Sequence, residues 1–242
     1  MAKTNGLNCR LYVEGYDLSG DANSLSGLGY TNELLDVTTL DVSAKKRLIG
    51  TVDTEMSFDA WFDNAASHQH AVWSSNSGKL PTTDQDILIP MGSAVGDQFV
   101  GLIAKEGTYN VARSGGSAIS ATASFSANGS TAEYGEMLTA FDDTHSSAGS
   151  GTVVDSGASS SNGGTGFLQL LSLDSGSVTV NLQEATSSGG TYTNFMTFST
   201  VAAAAAPSAE RLTNTGTVQR YIKVTTTGTF SNAKIVVGFS RS

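Results

Sequence analysis

Cysteine, proline and long apolar runs are all scarce or missing in this chain. Cys9 is the only cysteine among 242 residues, so the chain alone can form neither an internal disulfide nor a thiolate metal site. No segment approaches the about 18 consecutive apolar residues of a membrane-spanning helix. Residues 1–10 also lack the apolar region of a signal peptide. We therefore expect synthesis in the cytoplasm, without export and without membrane insertion.

Recognisable catalytic motifs are missing as well. The sequence contains no G-x-S-x-G, no phosphate-binding loop and no G-x-G-x-x-G that enters a helix. Residues 43–46 satisfy the S-x-x-K pattern of serine acyl enzymes, but the SDN and KTG elements that accompany it in those enzymes are absent. The sequence does not identify a catalytic pair among the 22 acidic residues. We expect no enzymatic activity and no cofactor.

Two histidines, His68 and His70, are candidate metal ligands. They lie on a short helix predicted over residues 65–74, with Asp63 or Asn64 as its cap. Alternate positions on a helix point the two imidazoles apart, and the sequence ties no third ligand to them. We therefore expect no metal site here.

Acidic residues are concentrated in the first part of the chain. Residues 1–150 hold 18 Asp and Glu against 8 Lys and Arg, a net charge of −10, whereas residues 151–242 hold 4 against 5. A protein that grips nucleic acid needs cations that neutralise phosphates. The first part therefore suits a surface past which DNA slides, although excess acid equally serves solubility.

Glycine, serine and threonine are abundant, and two segments alternate between apolar and polar residues. Residues 51–62 and 119–127 show the period of two that is typical of half-buried strands, and Asn128-Gly129 is a turn signal after the second. The apolar members are Val52, Met56, Phe58, Ala60 and Phe62 in the first segment and Ile119, Ala121, Ala123, Phe125 and Ala127 in the second. The pattern predicts an all-β fold with one short helix.

Further strands are predicted on both sides of a segment with linker composition, residues 143–151. Lys105-Glu106-Gly107 is interpreted as a hairpin turn between two of them. The linker divides the chain into residues 1–142 and a β-sandwich over 152–242 that is jelly-roll-like or immunoglobulin-like. The predicted strands are 10–16, 30–39, 86–91, 98–104, 108–114, 167–173, 177–185, 193–199, 218–226 and 233–241.

The order of these elements resembles the major tail tube proteins of long-tailed, siphovirus-type bacteriophages. The resemblance spans residues 5–142 and is carried by DVSAKKRLIGTVDTEMSFDAWFD, ILIPMGSAVG, FVGLIAKEGTYNVA and AISATASFSANG. It implies a tail-tube-type β-sandwich. Residues 152–242 resemble small domains appended to phage virion proteins, through GTVVDSGASSSNGGTG and RYIKVTTTGT.

The resemblance also implies a function. A tail tube protein forms hexameric rings in which one sheet of each subunit joins its neighbours around a lumen, and the rings stack into a tube through which DNA passes. The implied partners are other copies of the chain and tail proteins such as the tape measure and the tail terminator. The implied location is the phage virion, with the C-terminal domain on the outer surface.

Two sets of residues are assigned to this assembly. The cationic run Lys45, Lys46 and Arg47, with Leu48 and Ile49, is predicted to contact an adjacent subunit or ring. The polar sides of the two alternating strands are predicted to face the lumen, through Asp53, Glu55, Asp59, Ser120, Thr122, Ser124 and Ser126.

An alternative is a carbohydrate-binding or surface-binding module, such as a capsid decoration protein. Trp61, Trp73, Tyr192 and Tyr221 could form a stacking platform for sugars. The C-terminal domain could make such glycan contacts even on the outer surface of a tube.

Overall fold

The computed structural model describes residues 9–74 and 79–242, and within them the fold is all-β with one short helix. Antiparallel hydrogen bonds join all sixteen strands of the described residues into one network. The strands are β1 Tyr12–Val13, β2 Tyr16–Asp17, β3 Ala22–Asp36, β4 Arg47–Trp61, β5 Gln85–Pro90, β6 Gln98–Ala112, β7 Ser120–Ala127, β8 Glu133–Met137, β9 Asp143–His145, β10 Gly149–Ser150, β11 Val154–Asp155, β12 Gly164–Ala185, β13 Thr193–Thr197, β14 Val201–Ala202, β15 Ser208–Asn214 and β16 Tyr221–Arg241. The helix α1 spans Gln69–Trp73, and Ala203–Ala205 form one 3₁₀ turn.

The first half is built on a sheet of four strands in the order β3, β4, β7, β6. The alternation predicted for β4 and β7 is confirmed around their centres, where one face packs into an apolar core. The buried members are Met56, Phe58, Ala60, Ala121, Ala123 and Phe125. Val52 and Ile119 were expected on the same face, but both are exposed, because the core does not extend to the ends of this sheet.

The hairpin of β3 and β4 is longer than predicted. The strand expected at 30–39 runs over Ala22–Asp36, and the one expected at 51–62 runs over Arg47–Trp61. Their pairing continues to Asp36 opposite Arg47, well beyond Thr54, the last core-facing residue of β4 toward the hairpin tip. Residues 30–52 therefore form a protruding two-stranded element, which we call the arm.

The predicted hairpin turn at Lys105-Glu106-Gly107 is wrong. Residues 98–112 form one continuous strand, β6, and the register shifts between Glu106 and Thr108. Gly107 is accommodated as a bulge, a feature that shares its preference for glycine with tight turns. The chain reverses in the exposed segment between β6 and β7 instead.

The helix is shorter than the predicted 65–74. Ser67 has a positive φ of 68°, which interrupts helical geometry before Gln69. The carboxylate of Asp63 accepts a 2.8 Å hydrogen bond from the backbone N–H of Ala65 and so forms a turn, not a helix cap. No helix in the described residues is long and apolar enough to cross a membrane.

The second half is organised by a long hairpin of β12 and β16. The sequence pattern predicts two strands in place of each of these, because glycine and serine clusters interrupt them. In the structure the interruptions lie opposite each other in the ladder, with Gly176 paired to Phe230 and Val178 to Gly228. Gly176 and Gly228 have positive φ angles of 78° and 111°, which glycine adopts without strain, and the register continues through them without a shift.

The predicted linker, residues 143–151, contains two short strands, β9 and β10. Both pair with β16. The division of the chain into 1–142 and 152–242 stays a prediction.

The two halves also share a small apolar core. Its fully or almost fully buried members come from both sides of the predicted boundary: Tyr12, Leu88, Phe99, Met137, Phe167 and Val236. The ring of Phe167 packs edge-on against Phe99, with 5.6 Å between centroids. Gly101 makes this possible, because a Cβ at that position would lie 2.8 Å from the Phe167 ring.

Candidate assembly surfaces

The arm exposes large apolar side chains on both of its faces. Leu34 pairs with Ile49, and the next pair along the ladder is Leu35 with Leu48. Because successive residues of a strand point to opposite faces, one apolar pair lies on each face of the arm. Ile49 is 70% exposed and Leu34 is 58% exposed. An isolated subunit therefore leaves a contiguous apolar element in water.

The predicted cationic run lies at the tip and along one strand of the arm. Lys45 and Lys46 belong to the connection between β3 and β4, and Arg47 begins β4. All three residues are exposed. The Nζ of Lys45 lies 3.7 Å from a carboxylate oxygen of Asp36, and an exposed pair of this kind contributes little to stability. The cations therefore remain available to an external partner.

Two strand edges of the four-stranded sheet lack a partner strand within residues 9–74 and 79–242. β3 pairs with β4 alone. β6 pairs with β5 only as far as Ala104, so residues 105–112 have β7 on one side and no strand on the other. Unpaired edges of this length present backbone donors and acceptors to another chain.

The residues predicted to face a lumen lie together on one face of this sheet. Glu55, Asp59 and the intervening Ser57 are paired with Ser126, Thr122 and Ser124 of β7. Asp59 accepts hydrogen bonds from the hydroxyls of Ser24, at 2.8 Å, and Thr122, at 3.0 Å. Asp53 and Ser120 continue the same face at its two ends. The result is a polar surface on the side opposite the core, and it includes the three acidic positions of β4.

The four aromatic residues of the alternative interpretation do not form one platform. Trp73 is fully buried in the first core, against Phe58 and Phe125, because α1 packs its apolar side there. Trp61 is half-exposed on the polar sheet face. In the second half, the Nζ of Lys223 lies 4.2 Å from the Tyr192 ring centroid, and the Arg220 guanidinium lies 5.0 Å from the Tyr221 ring centroid. These cations cover ring faces on which a sugar would stack.

No protein-family model and no curated protein matches the chain. Among solved structures, the tail of an empty gene transfer agent particle, refined with C6 symmetry, is 15% identical with a TM-score of 0.38 over 54% of this chain and 96% of that one. The Dit protein of phage SPP1 is 11% identical with a TM-score of 0.38 over 96% and 99% of the two chains. A chain of the phage p2 baseplate is 10% identical with a TM-score of 0.32 over 97% and 98%. These likenesses establish neither a family nor a function.

The two histidines contact different groups, and His68 precedes α1 whereas His70 lies within it. The Nδ1 of His70 lies 2.9 Å from the Tyr109 hydroxyl, whereas the Nδ1 of His68 lies 3.0 Å from a carboxylate oxygen of Asp21. Asp63 is the third member of the His68 cluster, at 3.5 Å. Sequence analysis missed this cluster because Asp21 is 47 residues away from His68.

Two carboxyl groups with buried oxygen atoms, those of Glu106 and Asp86, were also missed. Glu106 is 6% exposed, and both of its carboxyl oxygens lack a hydrogen-bond partner in the described structure. Its burial raises the pKa to about 8. Burial and the neighbouring Glu14 likewise raise the pKa of Asp86 to about 7. A single charged residue in a strand gives no sequence signal that distinguishes a buried carboxyl group from an exposed one.

Proposed function

We propose that this chain is a structural protein of a phage tail, and that its copies form hexameric rings that stack into the tube through which DNA passes. The observation that carries this proposal is the arm, with an exposed apolar pair on each face. Burying apolar surface contributes roughly 25 cal/mol per Å². An apolar element that is exposed on both faces is typical of a surface that another subunit covers.

Ring formation follows from the two unpaired edges of the four-stranded sheet. In a ring of identical subunits, the β3 edge of one copy can pair with the 105–112 edge of β6 in the next. Such contacts close on themselves and leave no edge exposed, which removes the risk of pairing with wrong partners. The arm of each subunit then extends to an adjacent subunit or ring, where Lys45, Lys46 and Arg47 meet acidic groups.

The polar sheet face supports the role of a channel wall. Closing the sheet into a cylinder directs one face inward, and the face with Asp53, Glu55 and Asp59 is polar while the opposite face is occupied by the core. An acidic and neutral wall does not bind phosphates, so DNA passes without specific contacts. The tape measure and tail terminator proteins are the further partners of such a tube, and the second half of the chain lies on its outside.

Negative-stain electron microscopy of the purified chain at high concentration tests the proposal. Tubes of uniform width are expected, and Ile49→Ser should reduce their formation. Val153→Ser is the matched control, because Val153 is also an exposed apolar residue but lies outside the arm. Rings that do not stack would contradict the proposed tube. Free monomers would overturn both rings and tube, and would favour a surface-binding or capsid decoration protein.

A further inference from the structure

Three side chains with metal-ligating groups converge at the end of the β3–β4 hairpin that lies opposite the arm. The Nδ1 of His68 lies 3.0 Å from Oδ1 of Asp21 and 3.5 Å from Oδ2 of Asp63. One ligand atom from each residue lies within 4.8 Å of the other two. Donors bound to one zinc ion at 2.0–2.2 Å in tetrahedral directions are themselves about 3.3–3.6 Å apart. The cluster therefore has the spacing of a metal site with small adjustments of side chains.

The buried member of the cluster is held in place by the backbone. Asp21 is 8% exposed, and its Oδ2 accepts a 2.9 Å hydrogen bond from the N–H of Gln69. The backbone carbonyl of Asp21 accepts another, also 2.9 Å long, from the N–H of Trp61. A carboxylate fixed in this way provides a preorganised ligand, which lowers the entropic cost of binding an ion.

The other two members are open to solvent. The side chains of His68 and Asp63 are 45% and 43% exposed, so an ion can reach the cluster and keep water as a further ligand. Within the described part of the chain, neither aspartate forms an ion pair with a lysine or an arginine. Two carboxylates and a neutral imidazole carry a charge of −2, which matches a divalent cation.

We propose that Asp21, Asp63 and His68 bind a divalent transition-metal ion of the Zn²⁺ type. An imidazole nitrogen with two carboxylates is a ligand set that zinc accepts. Ca²⁺ and Mg²⁺ prefer six or more oxygen ligands, so they are disfavoured here. This site does not depend on the proposed tail function.

The position of the site gives the ion a structural role. Asp21 directly precedes β3, and Asp63 follows β4 by two residues, so the cluster joins the two ends of the hairpin that carries the arm. His68 ties both to the segment that leads into α1. A bound ion cross-links three parts of the chain at the end of the hairpin opposite the arm, and so stabilises the junction of β3, β4 and α1.

Isothermal titration of chelator-treated, full-length protein with ZnCl₂ tests the proposal. One ion per chain is expected to bind with a dissociation constant on the order of micromolar, and ZnCl₂ should raise the melting temperature by mass action. His68→Gln and Asp63→Asn should each weaken binding by at least about tenfold. Both side chains are nearly half exposed, so these variants are expected to fold, whereas Asp21 also accepts backbone hydrogen bonds and is left unchanged.

His145→Gln is the matched control, because His145 forms a separate pair with Asp143 at 3.3 Å. This variant should bind Zn²⁺ like the unmodified chain, and CaCl₂ in excess should not compete. Absence of saturable binding would show that His68 simply bridges the two aspartates as a hydrogen-bonded pair, and would overturn the site. Binding that survives His68→Gln and Asp63→Asn would place the ion elsewhere and overturn it as well.

Discussion

The side-chain carbonyl of Gln169 accepts a 2.6 Å hydrogen bond from the backbone N–H of Gly15. The amide of the same side chain donates a 3.1 Å hydrogen bond to the backbone carbonyl of Asp86. Gln169 is fully buried, so one side chain of the second half satisfies two backbone groups of the first. Buried polar groups are almost always paired, and here the pairing links the two halves of the chain.

Replacing Gln169 by Leu removes both hydrogen bonds and leaves the buried N–H of Gly15 without this acceptor, whereas the Asp86 carbonyl keeps a 3.0 Å hydrogen bond from the N–H of Glu14. We expect Gln169→Leu to lower the free energy of unfolding by about 1–3 kcal/mol. The control is Gln183→Leu, which removes an exposed 2.8 Å hydrogen bond to Asn194. In urea denaturation, this control substitution should change the free energy of unfolding by no more than about 0.5 kcal/mol. Equal losses in the two variants would show that Gln169 does not act through burial.

Local alternation was sufficient to predict the central strands of the first half. Ala121, Ala123 and Phe125 are buried, as the pattern requires, because one face of β7 meets the core and the other meets solvent. The same reasoning identified the polar face around Asp59. Alternation with a period of two predicts which residues are buried whenever one face of a strand contacts solvent and the other contacts the core.

Features that depend on distant residues could not be predicted. The turn signal at Lys105-Glu106-Gly107 describes local preference, but pairing with β7 decided that the segment continues as a strand. The contact of Gln169 with Gly15 spans 154 residues of sequence. The pattern of the arm residues likewise predicts ordinary strands, because the sequence alone does not show where the core beneath a strand ends.

The cationic run is expected to act between subunits and not within one. A ring of six copies would carry a formal charge of −54, six times −9, so that stacking needs local positive charge within a Debye length of about 8–10 Å. Replacing Lys45, Lys46 and Arg47 together by Glu should block tube formation in electron micrographs. The melting temperature should change little, because all three side chains are exposed. Normal polymerisation of the purified variant would refute this role.

Glu106 should make the stability of the subunit depend on pH. Its pKa is about 8 in the folded chain against 4.5 for an ordinary glutamate, so the folded state retains a proton that the unfolded chain releases. Stability therefore falls as pH rises from about 5 to 8. The side chain in Glu106→Gln cannot titrate. The free energy of unfolding of this variant should therefore exceed that of the unmodified chain by about 1–3 kcal/mol at pH 8, with a smaller difference at pH 5.

Urea denaturation at the two pH values measures this difference. Part of the pH dependence should remain in Glu106→Gln, because the pKa of Asp86 is also raised, to about 7. Glu33→Gln serves as the control, since Glu33 is exposed on the arm and its replacement should leave the pH dependence intact. A pH dependence that is the same in Glu106→Gln and the unmodified chain would contradict the assignment.

The polar sheet face should repel DNA as long as its charge is negative. Replacing Asp53 and Glu55 by Lys reverses the charge of that face without touching the core, because both residues are exposed. Tubes of this variant should retain a short labelled DNA duplex in co-sedimentation at low salt, and the binding should fall steeply as salt increases. Asp155→Lys with Asp174→Lys makes the same change in charge at two exposed positions of the second half. If the polar face lines the lumen, the first pair should enclose DNA and protect it from added nuclease, whereas any DNA bound by the second should remain accessible to it. Equal nuclease sensitivity in the two variants would place the polar face on the outside of the assembly.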